Sequence, residues 1–430
     1  MAFLAALLMS VLVSANYLLH RDVLYPAFLQ ASLWFVAVSL FLVWQGAFVP
    51  VSDRVFILLT LGVVLFSMGG FLASYGHRPH LVRNYLREGT LPSNRATAVL
   101  SAAVVLGLIL YVSRAWELAS TGPTSNWFIN LRYAVSVNEA ETGGFGAAAY
   151  FIPLSYVLAA IFILKRYGFA SPTASRTLVW VCLVVGCIFG ALWAARSTLL
   201  PLIVMAVIIP ASLRATKPAK AGAMLVVLSV LLFALVGLAV GKGGSFSRGL
   251  SENWPTMRES FLTYAVGSIP ALNAFLDNQG PDMDVGVNSL RSIFAVLRAL
   301  GFQASAAPLV QPWVDVPTPT NVYTVYQPYV KDFGPLGGIA VLFVLGFLHA
   351  VLYRRATVRN PHAISVFLFA LSLFPLVMQV FQDMYFSLLS LWIQYGAYAV
   401  VLFVVVNERP GRSRFRSTPS PELGPVASHL

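Results

Sequence analysis

Residues 321–353 read "NVYTVYQPYVKDFG" and then "PLGGIAVLFVLGFLHAVLY". The second part, Pro335–Tyr353, is nearly all apolar. It is long enough for a helix across the hydrocarbon layer, which takes about 20 apolar residues. The first part, Asn321–Gly334, holds Tyr323, Tyr326 and Tyr329 with Lys331 and Asp332. A polar, aromatic patch at the mouth of an apolar run marks a membrane segment entered through a built surface.

Runs of the same kind recur along the chain. They fall at 2–19, 27–45, 55–75, 96–114, 147–164, 177–195, 197–213, 222–240, 335–352, 363–381 and 387–406. The chain is 58% hydrophobic and 10% charged, with a mean hydropathy of +0.78. Soluble domains carry about 25% charged residues. The expected fold is therefore an all-α, polytopic integral membrane protein of about 11 transmembrane helices, since only helices satisfy their own backbone in lipid at this composition. "MAFLAALLMSVLVSANYLL" resembles a signal-peptide core but lacks a positive leader, so it is expected to stay as the first span.

Charge sets the expected orientation. The connections holding Arg21, Arg78–Arg95, Lys165–Arg176, Arg214–Lys220, Arg354–Arg359 and Arg409–Arg416 carry eighteen of the 28 lysines and arginines against four acids. That side is expected to be cytoplasmic. The net +12 is then a topology signal, and no nucleic-acid partner is implied. The expected organisation is a bundle over 1–240 with an outer loop at 115–146, a large periplasmic loop over 241–334, transmembrane helices over 335–406, and a disordered basic cytoplasmic tail over 407–430. Cys182 and Cys187 lie roughly 140° apart on one helix, too divergent to bridge.

The large loop has internal pattern. "NWPTMRESFLTYAVGSIPALNAFL" reads as one helix capped at Asn253 with Pro255 in its first turn. "VNSLRSIFAVLRALG" places Leu290, Ile293, Phe294 and Leu297 at helical spacing. Both are expected to lie on the outer face of the bundle.

Cations on the outer side need a reason at membrane depth. Arg196 sits in the tight turn "AARSTLLPLI", either snorkelling to the headgroups or facing a lipid phosphate. Arg291 and Arg298 share a helix face beside an apolar stripe, an arrangement suited to anionic headgroups or to plain solvation. Arg258 projects into the sector of Phe261, Ala265 and Ile269 if its helix is continuous, which favours a cavity role. Arg132 lies in the first outer loop, with ten residues between it and Gly143, a spacing that chance also produces. All six histidines fall on or near the cytoplasmic side, so an outer proton acceptor would be a carboxylate or a tyrosine. Asp282 and Asp284 read as an acidic turn, and no metal or cofactor site is expected.

Taken in order, "RDVLYP", "AARSTLLPLI", "YAVGSIPALNAFL" and "NVYT…DFG" resemble the oligosaccharide repeat unit polymerases, the Wzy-like O-antigen and exopolysaccharide polymerases, over residues 20–400. The resemblance implies a GT-C-like glycosyltransferase of the bacterial inner membrane, acting on its periplasmic face. Its substrates would be oligosaccharides on undecaprenyl pyrophosphate, its neighbours membrane lipids, a chain-length regulator and a flippase. It would pass the growing glycan to the non-reducing end of the next lipid-linked repeat. In that frame Arg196, Arg258, Arg291 and Arg132 would hold the pyrophosphate, and Asp332, Glu259 and Asp383 would compete for the base. Asn321, Tyr323, Tyr326, Tyr329 and Tyr264 would meet sugar rings, with an interfacial aromatic belt as the alternative role for the tyrosines. One base with no covalent carboxylate would invert the anomer. Two other readings stay open: an O-antigen ligase-like enzyme, which would want an outer histidine, and a transporter or flippase, which would want a midplane site.

Overall fold

The computed structural model describes residues 1–122, 124–136, 142–239, 249–278, 285–304, 307–308 and 311–406. Glu139, Glu141, Asp282, Asp284 and the 407–430 tail lie outside them, as does the side chain of Arg196. Fifteen α-helices are described. They are α1 Ala2–His20, α2 Pro26–Trp44, α3 Asp53–Ser74, α4 Asn94–Ser120, α5 Trp127–Ser136, α6 Phe151–Tyr167, α7 Arg176–Leu192 and α8 Arg196–Ser212. There follow α9 Pro218–Ala239, α10 Leu250–Val266, α11 Ser268–Asn278, α12 Arg291–Ala299, α13 Tyr326–Thr357, α14 Ala363–Val377 and α15 Leu389–Val400. A two-stranded antiparallel ribbon pairs Val314–Asp315 with Pro319–Thr320.

Among the described residues, eight helices are long and apolar enough to cross a membrane: α1, α2, α3, α4, α6, α9, α13 and α14 with their short extensions. The apolar segments Arg176–Leu192, Ser197–Ser212 and Leu389–Val405 are shorter. The chain is a multi-pass membrane protein built of helices.

The tightest helix pair is α3 against α13. Glycines make it possible. A Cβ on Gly69 would run into the Phe343 carbonyl, and one on Gly346 into that of Phe66. Gly62 leaves room for the Tyr326 ring. Small residues let two backbones touch, which is how helices associate where lipid offers no hydrophobic drive.

The lysine- and arginine-rich connections gather on one face and cap helix ends there. Arg83 donates to the carbonyls of Leu213 (3.1 Å) and Tyr167 (2.6 Å), at the ends of α8 and α6. Arg354 donates to Ala73 O near the end of α3. The backbone N–H groups of His80, Asn84 and Leu86 donate to Thr357, Leu213 and Gly168. These carbonyls lack intrahelical partners, so the 77–92 segment seals the face. The deepest contact there is an ion pair. Arg214 meets Asp22 with two N–H···O bonds of 3.1 and 2.5 Å, and Tyr353 Oη donates to Asp22 Oδ2 at 2.8 Å. Its side chains are 7% and 1% exposed. The "RDVLYP" opening thus holds α1, α8 and α13 together.

Several expected boundaries move. Helix α10 starts at Leu250 after Gly249, so Asn253 lies inside it, buried, and Pro255 is past the first turn. The helix through "YAVGSIPALNAFL" breaks at Gly267: Pro270 has no N–H to give Val266 O, and α11 starts afresh at Ser268. Helix α13 begins at Tyr326, not near 335, because its first turns are buried rather than looped. It breaks at Gly334 (φ 70°, ψ 175°), a conformation that suits glycine, with Pro335 next.

Candidate functional site

Away from the basic face, α10 stands beside α2 and α9 with a groove on each side. The α2 side, about 350 Å³, is lined by Leu40, Trp44, Trp254, Arg258, Phe261 and Leu262. The α9 side, about 280 Å³, includes Val230, Phe233, Ala234 and Met257 and again Trp254, Arg258 and Phe261. Apolar residues recur on α10 at helical spacing, which turns Phe261 and Ala265 toward α2 with Arg258 among them. The Arg258 guanidinium lies 5.0 Å from the Trp44 ring centroid. A face-on indole orients a guanidinium without occupying its N–H groups. Among the described residues no side chain or carbonyl accepts from them. Tyr264 packs edge-on against Phe233 at 4.9 Å, on the α9 side.

Arg291 and Arg132 do not line these grooves. Arg291 begins α12 and gives its Nε–H to Ala307 O at 3.1 Å. Arg132 sits half-buried on α5, a helix packed on α4. Arg196 opens α8 after the tight 193–195 turn. Of the three whose side chains are described, Arg258 alone lines the grooves.

The three carboxylates part company. Asp332, 1% exposed, accepts from Asn288 N (3.0 Å), Asn288 Nδ2 (2.7 Å), Ser289 N (2.7 Å) and Ser289 Oγ (2.6 Å). With four donors on two oxygens it is an anchor for the 285–290 turn. Asp383 accepts from Tyr329 Oη (2.6 Å), Tyr385 N (2.9 Å) and Ser387 N (2.8 Å). Burial raises its carboxyl above the usual value, while the Tyr329, Ser387 and Tyr385 donors pull the other way. Glu259 is exposed on α10, next in sequence to Arg258.

The tyrosines of the 321–334 stretch point inward. Tyr326 and Tyr329 are fully enclosed, and Tyr323 is 6% exposed. Tyr326 Oη donates to Leu59 O at 3.0 Å and Tyr323 Oη to Pro312 O at 3.1 Å. Their rings pack against protein, including Trp34 and Phe386, and offer no free face to a sugar or to headgroups. Asn321 is half-buried beside them.

A second polar cluster lies inside the bundle, unanticipated from sequence. Gln379 Oε1 accepts from Gln30 Nε2 and Trp34 Nε1, both at 3.3 Å, and Gln379 Nε2 donates to Tyr385 Oη at 3.0 Å. His349 bonds Tyr385 Oη (3.0 Å) and Ser372 Oγ (3.3 Å). His349 was expected near the basic face only; its ring instead meets the connection joining the far ends of α14 and α15. Non-helical backbone inside a bundle persists only where protein or water satisfies it. Here Asp383 takes the Tyr385 and Ser387 N–H groups, Trp392 Nε1 donates to Met384 O, and the cluster holds the Tyr385 hydroxyl.

No family model, curated protein or solved structure matches the chain. The resemblance to the repeat unit polymerases rests on the motif order in the sequence.

Proposed function

We propose that this chain is a membrane glycosyltransferase of the repeat unit polymerase kind, which holds its lipid-linked donor in the grooves beside α10. One observation carries the reading: a guanidinium with no acceptor from the described residues, set over an indole in apolar grooves about 350 and 280 Å³ in size. That pairing fits an amphiphile with an anionic head and a hydrocarbon tail. The head would be the pyrophosphate, which needs charge stabilisation as it leaves and no general acid. The tail would be undecaprenyl, lying along Phe261, Leu262 and Leu40. Of the three carboxylates considered, Glu259 keeps its oxygens open for an acceptor hydroxyl, whereas Asp332 and Asp383 spend theirs on protein donors. The site would lie on the periplasmic face of a bacterial inner membrane, opposite the basic connections.

A transporter is the second reading. The break of α13 at Gly334 and the buried Gln379–Tyr385–His349 cluster resemble the discontinuous helices around which transporters build central sites. Reconstitution separates the two. Purified protein in liposomes is given lipid-linked oligosaccharide from cells lacking it. A ladder of glycan multiples, with release of lipid pyrophosphate, supports the polymerase. Translocation of the lipid without elongation supports the transporter and refutes the enzyme.

A further inference from the structure

Helix α12 carries a surface that the grooves do not use. Asn288 and Ser289, just before it, are held to Asp332 by four hydrogen bonds of 2.6 to 3.0 Å. Asp332 lies two residues before Gly334, and the apolar run of α13 starts at Pro335. Leu336, 79% exposed, is an outward-facing side chain of that run. The start of α12 is thereby fixed at the level where a membrane-crossing segment begins.

The helix is divided lengthwise. At about 100° per residue, Ile293, Val296 and Leu300 form one stripe, and Arg291 and Arg298 fall roughly opposite. The three apolar side chains are 43%, 58% and 69% exposed, and Phe302 beyond them is 62% exposed. Arg298 is exposed on the other edge. Arg291 Nε ties back to Ala307 O. In water the stripe would be a standing cost. At the border of a bilayer both edges find their medium.

We propose that α12 lies in the headgroup layer of the membrane that the chain spans, with Ile293, Val296 and Leu300 among acyl chains and Arg298 on anionic phospholipid. This does not depend on the glycosyltransferase reading. The test uses the full chain in lipid nanodiscs, with Cys182→Ala and Cys187→Ala removing native thiols. A nitroxide is placed at Val296→Cys or, on the cationic edge, at Ala295→Cys. The label at 296 should be collided with by oxygen and shielded from a nickel chelate, and the label at 295 the reverse. In discs containing anionic phospholipid, Arg298→Glu should make the 296 label shallower by on the order of fivefold in its oxygen-to-nickel ratio, with little change in zwitterionic discs. Nickel access at both positions would place the helix in water and overturn the proposal. Shielding of 296 from both reagents would mean that protein covers the stripe, which overturns it equally. Immersion indifferent to lipid charge and to Arg298→Glu would remove the headgroup recognition.

Discussion

Breaking the Asp22–Arg214 pair should destabilise the bundle by about 3–5 kcal/mol, because removing one partner leaves the other charge buried. The structure ranks the two variants. With Arg214→Gln, Asp22 keeps Tyr353 Oη at 2.8 Å and Leu24 N at 3.1 Å, so half of its four donors remain. With Asp22→Asn, the guanidinium loses its carboxylate, and its Nε already has no partner among the described residues. Asp22→Asn should therefore cost more, toward the upper end, and Arg214→Gln less. The double variant should recover part of the loss, since two neutral amides can bond each other, giving a coupling of about 2 kcal/mol. The assay is reversible unfolding by a denaturing detergent in mixed micelles, followed by tryptophan fluorescence. Single variants within about 1 kcal/mol of wild type, with an additive double, would refute the claim that a desolvated pair clamps α1, α8 and α13.

Three other outcomes are expected. Gly346→Ala places a Cβ against the Phe66 carbonyl and should part α3 from α13 at a cost of about 1–3 kcal/mol, read in the same unfolding assay. Asp332→Ala leaves the Asn288 and Ser289 N–H groups unpaired, at about 1–3 kcal/mol each, and should raise the mobility of a spin label at Val296→Cys. The raised carboxyl of Asp383 means that the folded state holds its proton more tightly than the unfolded chain. Wild-type stability should fall as pH rises from 3.8 through the higher folded value, and Asp383→Asn should flatten that slope in a pH series of unfolding curves.

The apolar runs were legible because length and composition decide a span without any tertiary information. The helix over 326–333 was not. Gln327, Lys331 and Asp332 read as loop residues, yet Gln327 bonds Gln311 and Asp332 bonds the 288–289 turn, so tertiary partners make them buried. Tyr326 and Tyr329 carry the same signature as an interfacial belt; only packing against α3 and Asp383 tells them apart. Arg214 was counted among topology cations, which its sequence neighbourhood supports, while its partner lies 192 positions away. Arg258 was placed in an apolar sector by a continuous helix. The sector holds within α10, through Phe261 and Ala265, but stops at Gly267. Trp44 and Trp254, which define the groove, gave no signal beyond being tryptophans, one at a span end and one in the large loop.

The most direct test of the account is Arg258→Ala in cells lacking the native protein, with glycan length resolved on a gel and the membrane level of the variant measured alongside. The account predicts short, single-repeat glycans at wild-type protein level, and partial recovery with Arg258→Lys, which keeps the charge but loses the guanidinium over Trp44. Full-length polymer from Arg258→Ala would contradict it.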